Sequence, residues 1–277
     1  MIDELYFVPP CGVQEELAMN LQIENKTALI TGSTRGIGFA IARLLAEEGA
    51  NVIVNGRSEA SVRAAAEKIG KRARGVAADV STAAGCATLV KQTPDVDILV
   101  NNAGIFEPKP FIDIPDVDWE RFYQVNVMSG VRLTRAYLPG MLARNWGRVV
   151  FISSESGGQI PEEMIHYGMT KAAELALVNG IARLTKGTGV TVNAVLPGPT
   201  ASEGVTEFVG RLAANSRQTP AEFEREFFRS VRPTSLLQRF ATADEVAAMV
   251  AYACSSLAGA TNGAALRVDG GVVRGTI

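Results

Sequence analysis

The stretch Thr27-Ala-Leu-Ile-Thr-Gly-Ser-Thr-Arg-Gly-Ile-Gly38 decides the fold of this chain. Residues 27–31 form an apolar run of strand length, and three glycines then interrupt it. From Ile37 to Glu48 the apolar residues recur at the intervals of an amphipathic helix. The backbone N–H groups and the dipole at the start of such a helix favour a phosphate, and glycines let a ligand approach the backbone closely. The stretch therefore predicts a strand, a phosphate-binding turn and a helix, in that order.

Apolar runs of strand length alternate with helical segments along the rest of the chain. The strand-like runs are 51–55, 75–78, 97–100, 148–152, 190–195 and 264–268. The longest helical segments are 117–144 and 165–186, and Ser58 is predicted to cap a helix that ends near Ile69. Continuous apolar strands indicate a sheet that is buried on both faces, and strand-helix alternation indicates parallel strands. We therefore predict an α/β fold in one domain over residues 19–277: a doubly wound parallel sheet of about seven strands with helices on both faces.

The composition excludes several classes of function. The 277 residues are 47% hydrophobic, and the net charge of −2 gives no electrostatic reason to expect nucleic acid or an anionic membrane as partner. No apolar run approaches the ~18 residues of a membrane span. Cys11, Cys86 and Cys254 are far apart and His166 is the only histidine, so we expect no metal site and a reducing, cytoplasmic location.

Residues 1–18 fall outside the strand-helix pattern. Their only charged residues are acidic, and they lack the basic start and the apolar run of a secretory signal. We expect them to form a flexible N-terminal extension, with Met19 at the start of the domain. The apolar group 5–8 could alternatively dock on a partner subunit.

Tyr167 and Lys171 are four residues apart in a helical segment. Residues at i and i+4 share a helix face, so the phenol and the ammonium can converge on one point. A fixed cation favours the phenolate, so we expect Lys171 to lower the pKa of Tyr167 from its ordinary value of about 10. Such a phenol can pass a proton to or from an alcohol or carbonyl oxygen. Taken alone, however, this spacing is more often a surface tyrosine and a solvated lysine.

Six motifs occur in an order and spacing that resembles the short-chain dehydrogenase/reductase family. They are Thr31-Gly-Ser-Thr-Arg-Gly-Ile-Gly38, Asn101-Asn-Ala-Gly104, Asn126, Ser154, Tyr167-Gly-Met-Thr-Lys171 and Pro197-Gly198. The resemblance covers about residues 23–273 and is to the single-domain branch of the family, with a general similarity to 3-oxoacyl-thioester reductases. It implies a Rossmann-type fold and an oxidoreductase that interconverts a carbonyl compound and a secondary alcohol by hydride transfer with a nicotinamide cofactor.

The resemblance also implies a catalytic set, which is Asn126, Ser154, Tyr167 and Lys171. Ser154, just after the run 148–152, would hold the substrate oxygen beside Tyr167, the general acid/base, while Ser153 faces the other way by strand alternation. The backbone of Asn126 would hold a water, so that protons pass from water through Lys171 and a ribose hydroxyl to Tyr167. His166 diverges from Tyr167 by about 100° around the helix, so we expect it to be a pocket-lining or structural residue.

The cofactor-binding residues implied by the resemblance are spread along the chain. They are Gly32, Ser33, Thr34, Arg35, Gly36, Ile37, Gly38, Asp79, Val80, Asn102, Ala103, Gly104, Tyr167, Lys171, Pro197, Gly198 and Thr200. NAD enzymes of this type commonly carry an acidic residue at the end of the second strand, whereas this chain has Asn55-Gly-Arg-Ser58 there. Arg57 and Ser58, with Arg35 opposite them, can hold a 2′-phosphate, so we predict NADP(H). Arg35 could alternatively be a solvated loop charge.

The stretch from about residue 199 to 239 corresponds to the mobile substrate lid of the family. It contains two helical patterns, 204–215 and 220–229, and an apolar face formed by Val205, Phe208, Val209, Leu212, Phe223 and Phe227. It also carries arginines that could meet an anionic group, namely Arg211, Arg217, Arg229 and Arg232. Glu155 is expected either to flank the pocket or to be solvated. The resemblance further implies a homo-oligomer, a tetramer or a dimer, in which the two long helices pair.

Two alternative functions stay open at this stage. A catalytically idle protein of the same fold could bind NADP(H) as a sensor or scaffold, and a sugar-nucleotide epimerase-like enzyme also uses Tyr-x-x-x-Lys. The first would be expected to lose Ser154, Tyr167 or Lys171, and the second to have a different glycine turn; this chain shows neither departure. The substrate is predicted only as a small carbonyl compound or alcohol.

Overall fold

Seven parallel strands form one sheet in the computed structural model, which describes residues 20–202 and 219–275. With a separate two-stranded pair, the strands of the described residues are β1 (Thr27–Ile30), β2 (Asn51–Gly56), β3 (Ala73–Ala77), β4 (Ile98–Asn101), β5 (Gly147–Ile152), β6 (Val190–Pro197), β7 (Thr200–Ala201), β8 (Ala241–Thr242) and β9 (Ala265–Val268). The order across the large sheet is β3-β2-β1-β4-β5-β6-β9, and β7 pairs with β8 separately. The strand order reverses between β1 and β4, which is where open α/β sheets leave a crevice for ligands.

Alternate residues of the central strands pack into two hydrophobic cores, one on each face of the sheet. In β1, Ala28 and Ile30 face one core and Leu29 faces the other. In β4, Val100 and Leu99 divide in the same way. Because successive side chains of a strand point to opposite faces, a continuous apolar strand must be covered on both sides. The predicted doubly wound sheet is confirmed.

Helices cover both faces of the sheet. They are α1 (Gly36–Glu47), α2 (Glu59–Ile69), α3 (Ala83–Gln92), α4 (Asp116–Phe122), α5 (Ser129–Ala143), α6 (Ile165–Arg183), α7 (Pro220–Ser230) and α8 (Ala243–Cys254). Residues of α1, α2 and α8 enter one core, and residues of α3, α5 and α6 enter the other. Thr219 and Thr242 begin α7 and α8 with capping boxes. Of the helices described, none combines the length and the apolar character needed to cross a membrane.

The structure corrects three details of the sequence predictions. Ser58 occupies the predicted N-cap position of α2, but its side chain makes no capping hydrogen bond. The predicted helix 117–144 contains a π-helical segment, Tyr123–Met128, between α4 and α5. The predicted helix 165–186 ends at Arg183. The expected N-terminal extension and the predicted helix 204–215 lie outside the described residues.

Candidate active site

The glycine turn joins β1 to α1 and is held against β2 by hydrogen bonds. Ser33 N donates to Asn55 O at 2.9 Å, and Asn55 N donates to the Ser33 hydroxyl at 3.0 Å. Gly32 and Gly36 both have φ of 60°, in the left-handed region that favours glycine. A Cβ on Gly38 would lie 2.6 Å from Gly32 O, so only glycine lets α1 start this close to the turn.

The start of α1 is suited to an anion. Arg35 occupies the cap position without a side-chain capping hydrogen bond, and the first turn contains no acidic residue. The positive end of the helix dipole is therefore not offset by a carboxylate. A Cβ on Gly56 would lie 2.6 Å from Thr34 Cγ2, so the turn packs over the end of β2, from which the exposed Arg57 and Ser58 continue. This cradle fits the phosphate-bearing part of a nicotinamide dinucleotide.

Asn102, predicted to contact the cofactor, supports the glycine turn. Its Nδ2 donates to Thr31 O at 2.8 Å and to Gly32 O at 3.0 Å. The backbone N–H groups of Asn102 and Ala103 both donate to the Thr31 hydroxyl at 2.9 Å. The end of β4 is thus tied to the end of β1, and the Asn102 side chain is engaged within the protein.

The other predicted cofactor-binding residues lie at the same edge of the sheet. Asp79 follows β3, is exposed, and accepts a hydrogen bond from Ser81 N at 3.1 Å, whereas Val80 is buried. Pro197, the last residue of β6, and the following Gly198 and Thr200 line a cleft at this edge. The sheet topology therefore brings residues from distant parts of the chain to one edge.

A cleft of about 490 Å³ lies at this edge, and Ser154, Tyr167 and Lys171 line it together. Ser154 follows β5, and Tyr167 is in the first turn of α6. Burial raises the pKa of Tyr167, and the interaction of its phenol with the Ser154 side chain acts in the opposite direction. Ser153 instead donates to Lys171 O at 2.9 Å, so the two neighbouring serines diverge as strand alternation predicts.

The prediction that Lys171 lowers the pKa of Tyr167 is wrong for this structure. Lys171 Nζ is 5.7 Å from the centre of the Tyr167 ring and donates to Ile152 O at 2.8 Å and to the Glu174 carboxylate at 3.1 and 3.2 Å. Glu174 is 2% exposed, and its charge offsets that of the lysine. Burial, and then the charge of Glu155, raises the pKa of Tyr167 above its ordinary value. Burial also raises the pKa of Glu174 to about 7.

Asn126 lies in the π-helical segment and connects the loop after β4 to α6. Its Nδ2 donates to Ile105 O at 3.0 Å and to the Thr170 hydroxyl at 2.9 Å, and its Oδ1 accepts from Ile105 N at 2.8 Å. A Cβ on Gly104 would lie 3.6 Å from both Asn126 Oδ1 and Lys171 Nζ. Gly104 therefore keeps a space open beside the lysine.

Arg232 lies between two carboxylates at the wall of the cleft. Its Nε donates to Glu155 Oε1 at 3.4 Å, and its Nη1 donates to Glu163 Oε1 at 3.1 Å. The other oxygen of Glu155 accepts a hydrogen bond from the Ser154 hydroxyl. Glu155 is 6% exposed and so flanks the pocket. Arg232, which was predicted to be able to meet an anionic group, pairs with two carboxylates of the protein itself.

Helix α7 brings aromatic side chains to the cleft. Phe223 and Phe227 line it, and Phe227 stacks on Phe240 with ring centres 5.1 Å apart. Arg229 is not among the residues that line the cleft, and it pairs with Glu226 at the surface. The remaining predicted lid residues, Val205, Phe208, Val209, Arg211, Leu212 and Arg217, lie outside the described residues.

His166 belongs to a packed aromatic group. Its ring centre is 4.0 Å from that of Phe122 and 5.9 Å from that of Trp119, and neither ring nitrogen has a hydrogen-bond partner in the described structure. Burial lowers its pKa below 6.5. Burial raises the pKa of the Cys86 and Cys254 thiols. Across residues 20–202 and 219–275 no three His, Cys, Asp or Glu side chains are placed to hold a metal ion.

Comparisons with known proteins agree with this geometry. A family model described as short chain dehydrogenase matches residues 26–211. The chain is 49% identical over 261 residues to the uncharacterized oxidoreductase YvaG of Bacillus subtilis, covering 92% of this chain and 99% of that protein. It is 34% identical over 260 residues to D-beta-hydroxybutyrate dehydrogenase of Cupriavidus necator, covering 91% and 99% of the two chains.

A solved structure agrees over nearly the whole chain. It is L-sorbose reductase from Gluconobacter frateurii in complex with NADPH and L-sorbose, with a TM-score of 0.88 and 30% identity over 93% of this chain and 100% of that one. The comparisons and the residues at the cleft indicate the same family. The protein belongs to the short-chain dehydrogenase family and is an oxidoreductase of that family.

Proposed function

We propose that this protein is an NADP(H)-dependent oxidoreductase that interconverts a carbonyl compound and a secondary alcohol, with Tyr167 as general acid/base. The observation that carries the proposal is the convergence of Ser154, Tyr167 and Lys171 on one cleft beside the glycine turn. A bound nicotinamide supplies the hydride chemistry, and the protein supplies orientation and the proton.

Each residue of the proposed catalytic set has a distinct task. The Tyr167 phenol gives its proton to the substrate oxygen in reduction and takes it back in oxidation. Ser154 turns its hydroxyl from Glu155 to the substrate oxygen and so fixes the carbonyl beside the phenol. Lys171 provides a cation beside Tyr167, and Asn126 holds the segment that faces the lysine. Burial, and then the charge of Glu155, raises the pKa of Tyr167, so the phenol is protonated at neutral pH, which is the form that donates a proton in reduction.

Replacing Tyr167 with phenylalanine tests the proposed role directly. We expect Tyr167→Phe to reduce turnover at least ~1000-fold on a panel of aldehydes and ketones, because the proton donor is lost, with NADPH binding nearly unchanged. Tyr252→Phe is the matched control, because Tyr252 is a partly exposed tyrosine near the end of α8. Turnover by Tyr167→Phe within tenfold of the wild type would refute the role. A wild-type protein that bound NADPH and turned over nothing would instead support the alternative of an idle sensor or scaffold.

The proposed preference for NADP(H) depends on Arg57, Ser58 and Arg35. Arg57 follows β2 and Arg35 lies in the glycine turn, and two arginines so placed suit a 2′-phosphate. Asn55 lies near the end of β2, where an acidic residue would favour NAD(H). Its side chain is buried and donates to the carbonyls of Val76 and Ala78. Arg57→Asp should shift the ratio of kcat/KM values for NADPH and NADH at least tenfold toward NADH. Arg63→Asp, on the exposed face of α2, is the control. An unchanged ratio would refute the assignment.

We also propose that the protein is a cytoplasmic homo-oligomer, a tetramer or a dimer. We further propose a substrate lid at about residues 199–239. Large apolar side chains are exposed in the segments that adjoin the long helices, namely Tyr123 in the π-helical segment before α5 and Leu184 just after α6, and they support the oligomer. The aromatic group of α7 at the cleft supports the lid. Light scattering coupled to size-exclusion chromatography measures the oligomer, and a monomer at micromolar concentration would refute it.

A further inference from the structure

The cleft has a polar wall that the catalytic set does not use. Arg232, Glu155 and Glu163 form this wall, defined here as the carboxylate wall, and all three line the same cleft as Tyr167. The Arg232 and Glu155 side chains are 12% and 8% exposed, whereas Glu163 is 38% exposed and so faces the open part of the cleft. The carboxylate wall is therefore buried at Arg232 and Glu155 and accessible at Glu163.

The charges of the wall do not balance. One guanidinium stands against two carboxylates, which leaves a net charge of −1. The only other cation that lines the cleft within the described residues, Lys171, is paired with the Glu174 carboxylate at 3.1 Å. A substrate carboxylate that entered the cleft would meet like charge in a partly dry environment, where Coulomb forces are stronger than in water.

Hydrogen-bonding capacity points the same way. The carboxylates only accept hydrogen bonds, and the guanidinium only donates them. A substrate hydroxyl can do both, donating to Glu163 or Glu155 and accepting from Arg232. Phe106, Phe223 and Phe227 on the other walls can pack against a carbon skeleton.

We propose that the carboxylate wall selects uncharged, hydroxyl-bearing ketones and alcohols and rejects carboxylic acids of the same skeleton. This inference rests on the proposed function, since it names the substrate class of that same site. The discrimination arises from one unbalanced charge, for which we expect at least about tenfold in kcat/KM.

The test compares substrates that differ only in a CH₂OH or a COO⁻ group. The pairs are L-sorbose with 5-keto-D-gluconate and 4-hydroxy-2-butanone with acetoacetate, each reduced with NADPH. We expect the wild type to favour the neutral member of each pair at least tenfold. Glu163→Gln should raise the relative kcat/KM of the acid about tenfold, because the wall becomes neutral. Glu162→Gln, the same change at an exposed neighbour outside the cleft, should leave the ratio unchanged.

The outcomes separate this inference from the proposed function. Preference for the acid, or equal effects of Glu163→Gln and Glu162→Gln, would overturn the inference even if turnover is fast. If a pair is not turned over, its two members are titrated into NADPH-loaded protein, and the neutral one is expected to bind more tightly. Binding of neither neutral compound also overturns the inference. The proposed function fails only if no compound of the wider carbonyl panel reacts.

Discussion

Replacing Glu174 with glutamine should lower the pH at which alcohol oxidation begins. In oxidation Tyr167 must be ionised to accept the proton, so kcat/KM rises with pH through its pKa. Glu174 contacts Lys171 Nζ at 3.1 Å and offsets its charge, and its own charge also raises the pKa of Tyr167. Glutamine removes this charge and leaves the lysine as an uncompensated cation near the phenol. The ionised form of Tyr167 is then favoured at lower pH.

The size of the effect follows from the separation of the two groups. Lys171 Nζ is 5.7 Å from the Tyr167 ring centre. The charge that Glu174→Gln removes is 3.1 Å from that nitrogen and is therefore at most about 9 Å from the ring centre, where a unit charge contributes roughly 2 kcal/mol at an effective dielectric constant of 20 and roughly 0.5 kcal/mol at 80. At about 1.4 kcal/mol per pH unit, the rising limb should therefore move to lower pH by between ~0.4 and ~1.4 pH units.

The assay is kcat/KM for a secondary alcohol and NADP⁺ between pH 5 and 10, with NADPH binding and thermal unfolding as checks of folding. Glu162→Gln, exposed and remote from the lysine, is the control and should superimpose on the wild type. A Glu174→Gln profile that superimposes on the wild type, or that moves to higher pH, would refute the reasoning.

Three further predictions concern stability and packing. Burial raises the pKa of Glu174 from 4.5 to about 7. Protonation of this carboxyl therefore stabilises the folded state fully below pH 4.5, and this stabilisation is lost as the pH rises through 7. The unfolding free energy of Glu174→Gln relative to the wild type should thus rise by up to about 3 kcal/mol between pH 4.5 and 8 in urea titrations, and a constant difference would contradict this. Gly38→Ala would place a Cβ 2.6 Å from Gly32 O, so we expect at least ~tenfold weaker NADPH binding by fluorescence and about 1–3 kcal/mol lower stability. Arg148 donates to three backbone carbonyls at 2.8–2.9 Å while 3% exposed, so Arg148→Met should cost about 3 kcal/mol in denaturant unfolding, and a cost below about 1 kcal/mol would contradict its role.

Much of the candidate site could be predicted because its spacing reflects local geometry. Tyr167 and Lys171 share a face of α6, and Ser153 and Ser154 diverge, as helix and strand periods require. His166 could be separated from the chemistry by the same helix geometry. These relations involve neighbours in the chain, so no tertiary information was needed.

The interactions that modify the site could not be predicted in this way. In the sequence Glu174 is an ordinary helix residue, and only the packing of α6 against β6 buries its carboxylate beside Lys171. Arg232 is 77 residues from Glu155, and nothing in its surrounding sequence indicates a carboxylate partner. Asn102 illustrates a third case: its motif predicted a ligand contact, and its side chain lines the cleft and also holds the glycine turn.

The sequence by itself determined the doubly wound sheet, the glycine turn and the identity of the groups that reach the cleft, because apolar periodicity and short motifs act over a few residues. Only the tertiary structure decided which charged and buried groups surround the side chains of the cleft. Desolvation and ion pairing depend on which groups are packed together, and these come from distant segments. For that reason the pKa of Tyr167 is raised where the local pattern predicted a lowering, and Arg232 is held by two carboxylates where the local pattern offered a cation to an anionic ligand.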